Sequence, residues 1–151
     1  MIRYLSILLF TLICTSSYAD EVKTLHDLKA EFEQAGDNRV MLLLVSQPGC
    51  SYCEQIKEEI LNPMVKSDHY KSVLIREIKI HSTHSLRDFQ GKRVDATLFA
   101  KRYDAWATPT LLFIDSKGNE LAPKMIGINT PEFYGYYVDK NLDSAQAALS
   151  N

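Results

Sequence analysis

Continuous apolar runs mark the strands of this chain. Val40 to Val45 is apolar without alternation, which is typical of a strand covered on both faces. Val73 to Ile80 is rich in β-branched residues and predicts a second strand. Thr110 to Ile114 predicts a third strand, and a hairpin turn around Gly118 leads to a fourth at the sheet edge, Glu120 to Ile126.

Apolar residues at helical spacing predict helices between these strands. The first helix is Thr24 to Ala35, with Thr24 as its N-cap. The second opens at Cys50, and Pro63 is expected to bend or end it. The third is Ala96 to Tyr103, which lies just before the Thr110 strand.

A threonine and a proline mark the start of the last helix. In Thr130-Pro131-Glu132 the threonine is a suitable N-cap and the proline a suitable first helical residue. Ser144 to Asn151 is predicted to be a frayed tail. The side chains expected to face the core are Phe133, Tyr136, Tyr137 and Leu142.

Two polar stretches, Val65 to Lys71 and His81 to Val94, are predicted loops. Helices separate the strands that begin at Val40, Val73 and Thr110, which favours parallel crossovers, while the turn at Gly118 adds an antiparallel pair. The predicted fold class is therefore α/β, with a central mixed β-sheet flanked by α-helices on both faces.

The N-terminal segment, residues 1–19, has the features of a secretory signal peptide. It combines a positive start at Arg3, an apolar run from Ile7 to Ile13 and small residues at its end. That run is far shorter than the roughly 20 apolar residues of a membrane span. We therefore predict cleavage after Ala19 and one globular domain, residues 20–151, in the periplasm.

Removal of this segment would also remove Arg3 and Cys14, which changes the formal charge from −2 to −3 and leaves two cysteines. Such mild acidity argues against nucleic acid or a membrane surface as the main partner. In an oxidising compartment an unassisted Cys-x-x-Cys pair rests as a disulfide, so a reductase there requires an electron donor.

The two remaining cysteines, Cys50 and Cys53, lie at the head of the helix that follows the first buried strand. Residues three apart share a helix face, so the two sulfurs are close enough to form a disulfide. Cys50 lies near unpaired backbone N–H groups and the positive helix end, which favour a thiolate, while Cys53 is expected to be buried. The sequence thus predicts one attacking and one resolving thiol.

Two other uses of the pair stay open at this stage. A structural disulfide needs no special environment. A metal site needs further ligands, and among the four histidines only His81 and His84 are close in sequence, just short of a common zinc-ligand spacing. The strand-turn-helix context favours the redox interpretation.

Ala107-Thr108-Pro109-Thr110 follows the Cys-x-x-Cys motif by some 55 residues, and Gly127 follows the last hairpin strand. With the motif, these features resemble the thioredoxin fold over about Val22 to Leu142. Exported thioredoxin-like proteins of the SoxW type are particularly similar, since they share the Ala-Thr-Pro-Thr sequence and a longer loop before it.

The resemblance implies that Pro109 is cis and packs beside the two cysteines, leaving the backbone of Thr108 free to pair with an extended substrate. Trp106, the single tryptophan, is a candidate contact for protein substrates, although a core position is an alternative. The family places a buried acid six residues before the first cysteine, where this chain has Leu44. Glu77 in the neighbouring strand is the candidate proton acceptor for Cys53, or else a solvated glutamate or a partner of Lys79.

The function implied is that of an exported thiol-disulfide oxidoreductase that reduces protein disulfides, with no cofactor beyond its redox-active disulfide. The expected partners are protein substrates and a membrane thiol reductase as electron donor, and the chain is expected to be a monomer. Two alternatives are a DsbA-like oxidase and a copper- or zinc-binding module that uses Cys50, Cys53 and a histidine such as His84.

Overall fold

In the computed structural model, which describes residues 21–150, the chain forms a five-stranded sheet with helices on both faces. The predicted signal peptide and its cleavage site lie outside the described residues. Within residues 21–150, no helix has the length and apolar character needed to cross a membrane. The strands of the main sheet are β1 (Lys23–Thr24), β2 (Val40–Ser46), β3 (Val73–Lys79), β6 (Thr110–Ile114) and β7 (Met125–Ile126), in the order β1-β3-β2-β6-β7.

The helices pack on this sheet in two layers. One core, against the first layer, contains Met41, Leu43 and Val45 of β2, and the other contains Val40, Leu42 and Leu44. The helices of the first layer are α1 (Leu28–Ala35) and α4 (Ala96–Lys101), and those of the second are α2 (Ser51–Ile56), α3 (Asn62–Lys66) and α5 (Tyr134–Leu149). Every residue of β2 is buried, because helices cover both faces of that strand.

Strand β2 pairs in parallel with β3 and antiparallel with β6, which confirms the mixed sheet. The expectation of a parallel crossover into Thr110 is wrong, since β6 runs against β2 with Thr110 opposite Val45. After α4, residues 102–109 bring the chain back to the end of the sheet where β2 stops. The chain therefore enters β6 from that end and must run in the opposite direction to β2.

The first predicted helix begins four residues later than expected. Lys23–Thr24 forms the edge strand β1 beside β3, and the N–H of Leu25 extends this pairing by donating to the Glu77 carbonyl at 2.8 Å. Asp27, rather than Thr24, is the N-cap of α1, and its side chain accepts from the N–H of Ala30 at 2.9 Å. Pairing with β3 thus provides the backbone hydrogen bonds that a helix would otherwise have provided for this segment.

The second predicted helix continues past Pro63 to Lys66. A π-helical turn, Lys57–Leu61, joins α2 to α3, and the N–H of Asn62 donates to the carbonyl of Lys57, five residues back. A proline cannot donate to the carbonyl four residues back and would clash with it in a regular α-helix. The wider turn just before Pro63 lets the helix continue, so the predicted loop from Val65 to Lys71 begins only at Ser67 and contains a 3₁₀ turn, Asp68–Tyr70.

The predicted loop His81 to Val94 contains a small hairpin, β4 (Ser85–Arg87) and β5 (Arg93–Asp95). Buried Asp88 holds its turn, because the carboxylate accepts from the N–H groups of Gln90 and Lys92 and pairs with Arg102 at 3.1 Å. Burial alone would raise the pKa of Asp88, but these hydrogen bonds and the Arg102 charge lower it. A local polar network therefore orders a stretch with too few apolar residues to show a strand pattern.

The hairpin that follows β6 is confirmed, but its return strand is shorter than predicted. Glu120 bridges Ile114, and regular pairing resumes only in β7, at Met125–Ile126. Pro123 lies between these two points and has no N–H to donate to a neighbouring strand. The proline therefore interrupts the pairing expected along Glu120 to Ile126.

The last helix has a different start and a different buried face from those predicted. A 3₁₀ turn, Pro131–Phe133, precedes α5, and the side chain of Thr130 makes no capping hydrogen bond. Leu142 is buried as expected, whereas Phe133, Tyr136 and Tyr137 are exposed. The residues that α5 buries are Tyr134, Val138, Leu142 and Ala145. Since Ala145 packs in the core, the predicted frayed tail is helical to Leu149.

The register of α5 predicts opposite outcomes for two truncations on the same helix. Leu142→Ala leaves a cavity in the core and is expected to lower the free energy of unfolding by about 2 to 5 kcal/mol. Tyr136→Ala removes an exposed ring and is expected to change it by less than about 0.5 kcal/mol. Urea unfolding of both oxidised variants measures the difference, and an equal loss in the two would contradict this register.

Candidate active site

The two cysteines lie where β2 ends and α2 begins. Gly49, in the turn between β2 and α2, has a positive φ of 73°, a conformation that residues with a side chain disfavour. Cys50 is the N-cap of α2, and its Sγ accepts from the N–H of Cys53 at 3.2 Å. Because β2 is fully buried, this turn brings Cys50 directly from the core to the surface.

Cys50 and Cys53 form a disulfide with a Cα–Cα distance of 5.3 Å. Cys50 is partly exposed, whereas Cys53 has no exposed surface. The predicted difference in burial between the two sulfurs is therefore present. A reagent or substrate can approach Cys50, but not Cys53.

The segment that begins β6 starts at the end of the sheet where β2 leads into the disulfide. Thr110 pairs with Val45, one residue before the end of β2, so Pro109 and Thr108 lie at the same end of the sheet as Cys50. The Thr108–Pro109 peptide bond is cis, and the Pro109 carbonyl accepts from the N–H of Gly127 at 2.8 Å. The sheet register thus brings together two segments that are more than 50 residues apart in sequence.

Two large aromatic side chains, one from each of these two segments, are exposed. Trp106, just before the Thr108–Pro109 segment, is 73% exposed, so the alternative of a core position is wrong. Tyr52, between the two cysteines, is also largely exposed. Exposed aromatic rings of this size are common in surfaces that bind proteins.

Glu77 is buried within the sheet, on the face covered by α2. It lies beside Leu44 in the register of β2 and β3, and it is 3% exposed. Its Oε1 accepts from the hydroxyl of Ser46 at 2.7 Å and lies 3.2 Å from Nζ of Lys57, while its Oε2 lies 4.0 Å from Nζ of Lys79. The solvated glutamate considered as an alternative is therefore wrong, and the contact with Lys79 is the longest of the three.

Lys57 and Ser46 are site residues that the sequence analysis missed. Lys57 lies one helical turn after Cys53, and its Nζ also contacts Oε2 of Glu54 at 2.9 Å. Burial would lower the pKa of Lys57, but the hydrogen bonds and charges of Glu54 and Glu77 raise it above its usual value. The i, i+4 spacing from Cys53 was a usable signal, because it puts Lys57 on the helix face that Cys53 occupies.

His84, the histidine proposed for a metal site, has both ring nitrogens engaged. Nδ1 accepts from the N–H of Lys79 at 3.1 Å, and Nε2 lies 2.8 Å from the carbonyl of Leu25. Metal ligation by His84 would require breaking one of these contacts. In the part of the chain that the structure describes, no three His, Cys, Asp or Glu side chains are grouped as metal ligands.

A family comparison matches residues 28–140 of this chain to the thioredoxin-like domain. The chain belongs to the thioredoxin-like domain family. The match includes both cysteines and the Thr108–Pro109 segment, and it agrees with the mixed sheet flanked by helices. A comparison with curated proteins found no match.

Solved structures of thioredoxins have the same fold at low sequence identity. Oxidised mitochondrial thioredoxin 3 from Saccharomyces cerevisiae is 16% identical, with a TM-score of 0.53, over 81% of this chain and 93% of that one. The DsbH oxidoreductase is 18% identical, with a TM-score of 0.54, over 87% of this chain and 92% of that one. A thioredoxin-like protein from Clostridium perfringens is 17% identical, with a TM-score of 0.52, over 87% and 90%.

Family membership and the Cys50–Cys53 disulfide together identify the chain as a thiol-disulfide oxidoreductase. In such chemistry the exposed sulfur attacks and the second sulfur resolves the mixed disulfide. Exposure and the helix N-terminus both favour Cys50 as the attacking sulfur.

The unequal burial predicts selective alkylation of the reduced chain. Iodoacetamide near neutral pH is expected to modify Cys50 faster than it modifies free glutathione, and to modify Cys53 at least about tenfold more slowly than Cys50, because only Cys50 is accessible as a thiolate. Mass spectrometry of the peptides at timed intervals measures both rates. Comparable rates at Cys50 and at glutathione would show that the helix end does not activate Cys50.

Proposed function

We propose that this protein is an exported reductase of protein disulfides. The observation that carries the proposal is the pairing of an accessible Cys50 with a fully buried Cys53 at the head of α2. Such a pair can form a covalent bond with a substrate through one sulfur and release the substrate through the other.

The reaction begins when the Cys50 thiolate attacks a sulfur of a substrate disulfide. A mixed disulfide forms between Cys50 and that sulfur, and the other substrate sulfur leaves as a thiolate and takes up a proton. The Cys53 thiolate then attacks Sγ of Cys50, the mixed disulfide breaks, and the second substrate thiol is released. The substrate gains two electrons and two protons, while Cys50 and Cys53 become a disulfide.

The surface beside Cys50 suits an extended protein segment. Thr108 offers backbone groups at the start of β6, where a substrate could pair in the manner of an added strand. Trp106 provides an exposed aromatic surface next to this segment. In this proposal Thr108, Pro109 and Trp106 bind the substrate while Cys50 reacts with it.

Glu77 is the proposed proton acceptor for Cys53. At the position where thioredoxins have a buried acid, this chain has Leu44, and Glu77 lies directly beside Leu44 in the neighbouring strand. Both side chains are on the sheet face covered by α2, the helix that carries Cys53. In this proposal the Glu77 carboxylate acts as the general base for the buried Cys53 thiol.

The proposals for export, for the direction of electron transfer and for the partner proteins rest on the sequence. The signal-like segment 1–19 supports export to the periplasm, and the resemblance to SoxW-type proteins supports reduction. A membrane thiol reductase would then return electrons to the Cys50–Cys53 disulfide, because an oxidising compartment does not keep such a pair reduced. We propose that the chain acts as a monomer.

Trapping with Cys53→Ser tests the function. This variant is expected to accumulate mixed disulfides between Cys50 and its substrates in the native compartment, because the resolving sulfur is missing. Non-reducing electrophoresis and mass spectrometry identify the captured proteins, and Cys50→Ser/Cys53→Ser is the matched control. The absence of any Cys50 adduct would favour a structural disulfide over a catalytic one.

The redox state of the wild-type chain separates reduction from oxidation. A reductase supplied with electrons is expected to be mainly reduced in its compartment and to have a potential near that of thioredoxin, about −270 mV. A DsbA-like oxidase would be mainly oxidised, with a potential near −120 mV on the same approximate scale. Thiol trapping in cells and a glutathione titration measure these two quantities.

A further inference from the structure

The turn that joins β3 to β4, residues 80–84, begins beside the turn that carries Cys50. The strands that lead into these two turns, β3 and β2, are parallel neighbours, with Lys79 opposite Ser46 at their ends. The N–H of Ile80 donates to the carbonyl of Ser46, the last residue of β2, at 2.8 Å. A rearrangement of this β3–β4 turn therefore acts on the strand end from which the Cys50 turn begins.

The side chain of His84 closes the β3–β4 turn. Its Nδ1 accepts from the N–H of Lys79 at 3.1 Å, and its Nε2 lies 2.8 Å from the carbonyl of Leu25. Ser82 completes the turn, because its hydroxyl donates to the Lys79 carbonyl at 2.7 Å and accepts from the N–H of His84 at 3.1 Å. His84 thus connects the end of β3 with the segment between β1 and α1.

These two ring contacts require a neutral imidazole. A backbone N–H can only donate and a backbone carbonyl can only accept, so Nδ1 of His84 is unprotonated and Nε2 carries the hydrogen. An imidazolium carries a hydrogen on both ring nitrogens. Protonation of His84 therefore places two N–H groups against each other, and the hydrogen bond from Lys79 is lost.

The charged and titratable groups around His84 come from each element that packs against it. They are His26 from the segment between β1 and α1, Glu77 and Lys79 from β3, and Asp95 from β5, which lies opposite Ser85. Burial, the largest effect, lowers the pKa of His84, and the charges of His26 and Lys79 act in the same direction. The Leu25 carbonyl and Glu77 raise this pKa without cancelling the effect of burial.

The conformation of the β3–β4 turn depends on such contacts. His81 has a positive φ of 53°, which is uncommon in residues other than glycine. A backbone in this region persists only where the surrounding structure determines it. The N–H of His81 donates to the Thr97 hydroxyl at 3.0 Å, and the ring of His84 secures the turn to the end of β3. Loss of the His84 contact removes one of the two anchors of this turn.

We infer that His84 is a pH-sensitive latch, whose neutral imidazole holds the β3–β4 turn against the active-site turn and whose protonation releases both. The imidazole takes up one proton from solvent at Nδ1, and the Lys79 hydrogen bond breaks as it does so. This inference goes beyond the proposed function, because it applies whichever way electrons flow through the disulfide. It also gives a role to the polar segment between β3 and β4.

The sign of the pH dependence follows from the lowered pKa of His84 in the closed turn. When the turn opens, the imidazole regains the ordinary affinity for protons of a histidine, about pKa 6.5, so the open form binds more protons. The closed form is therefore fully favoured above about pH 7 and loses stability as the pH falls below about 6.5.

Hydrogen exchange of the Lys79 amide, followed by NMR, measures this opening. Every sample is the oxidised full chain with Cys14→Ser, so that no thiol titrates. After correction for intrinsic exchange, the opening constant is expected to be level above about pH 7 and to rise by up to about tenfold per pH unit below about 6.5, because opening binds one proton. A level opening constant over the whole range would overturn the inference.

His84→Asn removes the titration but keeps an acceptor for the Lys79 amide, because the side-chain oxygen of asparagine accepts at every pH. Its opening constant is expected to stay level. His81→Asn is the matched control, since it removes an exposed imidazole from the same turn and asparagine tolerates a positive φ. This control is expected to keep the wild-type response. A wild-type rise in His84→Asn, or its loss in His81→Asn, would contradict the role of His84.

The wild-type chain keeps the test decisive if His84→Asn does not fold. NMR of the ring nitrogens at neutral pH is expected to show His84 with its hydrogen on Nε2 alone. Its pKa is expected to lie below that of the same histidine in the urea-unfolded chain. A hydrogen on Nδ1 at neutral pH, or a pKa equal to or above the unfolded value, would overturn the inference.

Reduction of the Cys50–Cys53 disulfide by tris(2-carboxyethyl)phosphine tests the link to the active-site turn. The ratio of the wild-type rate to the His84→Asn rate cancels the titration of the reagent itself. This ratio is expected to be one above about pH 7 and to exceed one below about 6.5, because a released turn leaves the disulfide more accessible. A ratio of one at every pH would show that the latch does not reach the active site, which would overturn that part of the inference.

Discussion

The structure depends on the burial of β2 between two strands and two layers of helices. All seven residues of Val40–Ser46 are buried, and alternate side chains pack in the two cores. Strands β3 and β6 satisfy the backbone on either side. Because this strand cannot shift without moving both cores, it anchors the turn that carries Cys50. The accessible sulfur is thus joined directly to the fully buried central strand of the sheet.

The same burial creates a need for polar partners near the active site. Glu77 lies within the sheet beside Leu44, where water does not reach it. Lys57 and Ser46 satisfy its carboxylate, and Glu54 extends the network to the surface. Removing one member of such a buried network lowers the free energy of unfolding more than removing one member of a surface ion pair, because a polar group is left buried without its partner. These groups therefore form one connected polar network on the sheet face covered by α2.

Corrections to the predicted elements have local causes. Thr24 could start a helix or extend a strand, and pairing with β3 decides for the strand. Pro63 was expected to bend or end the second helix, and it does not end it, because the π-helical turn just before it accommodates the ring. Two groups of residues in this region have the spacing of a buried helix face, one that includes Tyr134 and one that includes Phe133 and Tyr137. Only packing against the sheet determines that the group with Tyr134 is buried. Periodicity therefore identifies a helix more reliably than it identifies the buried face.

Local patterns along the chain were enough to identify the fold class, the strand that leads to Cys50, the reactive pair and the family, because apolar runs, turn residues and the spacing of two cysteines are local properties. The direction of β6, the exposure of Trp106 and the partners of Glu77 became known only from the folded chain. Those features depend on which segments meet across the sheet. Lys57 and Glu77 are 20 residues apart, and no local pattern indicates that an ammonium and a carboxylate from a helix and a strand share one buried site.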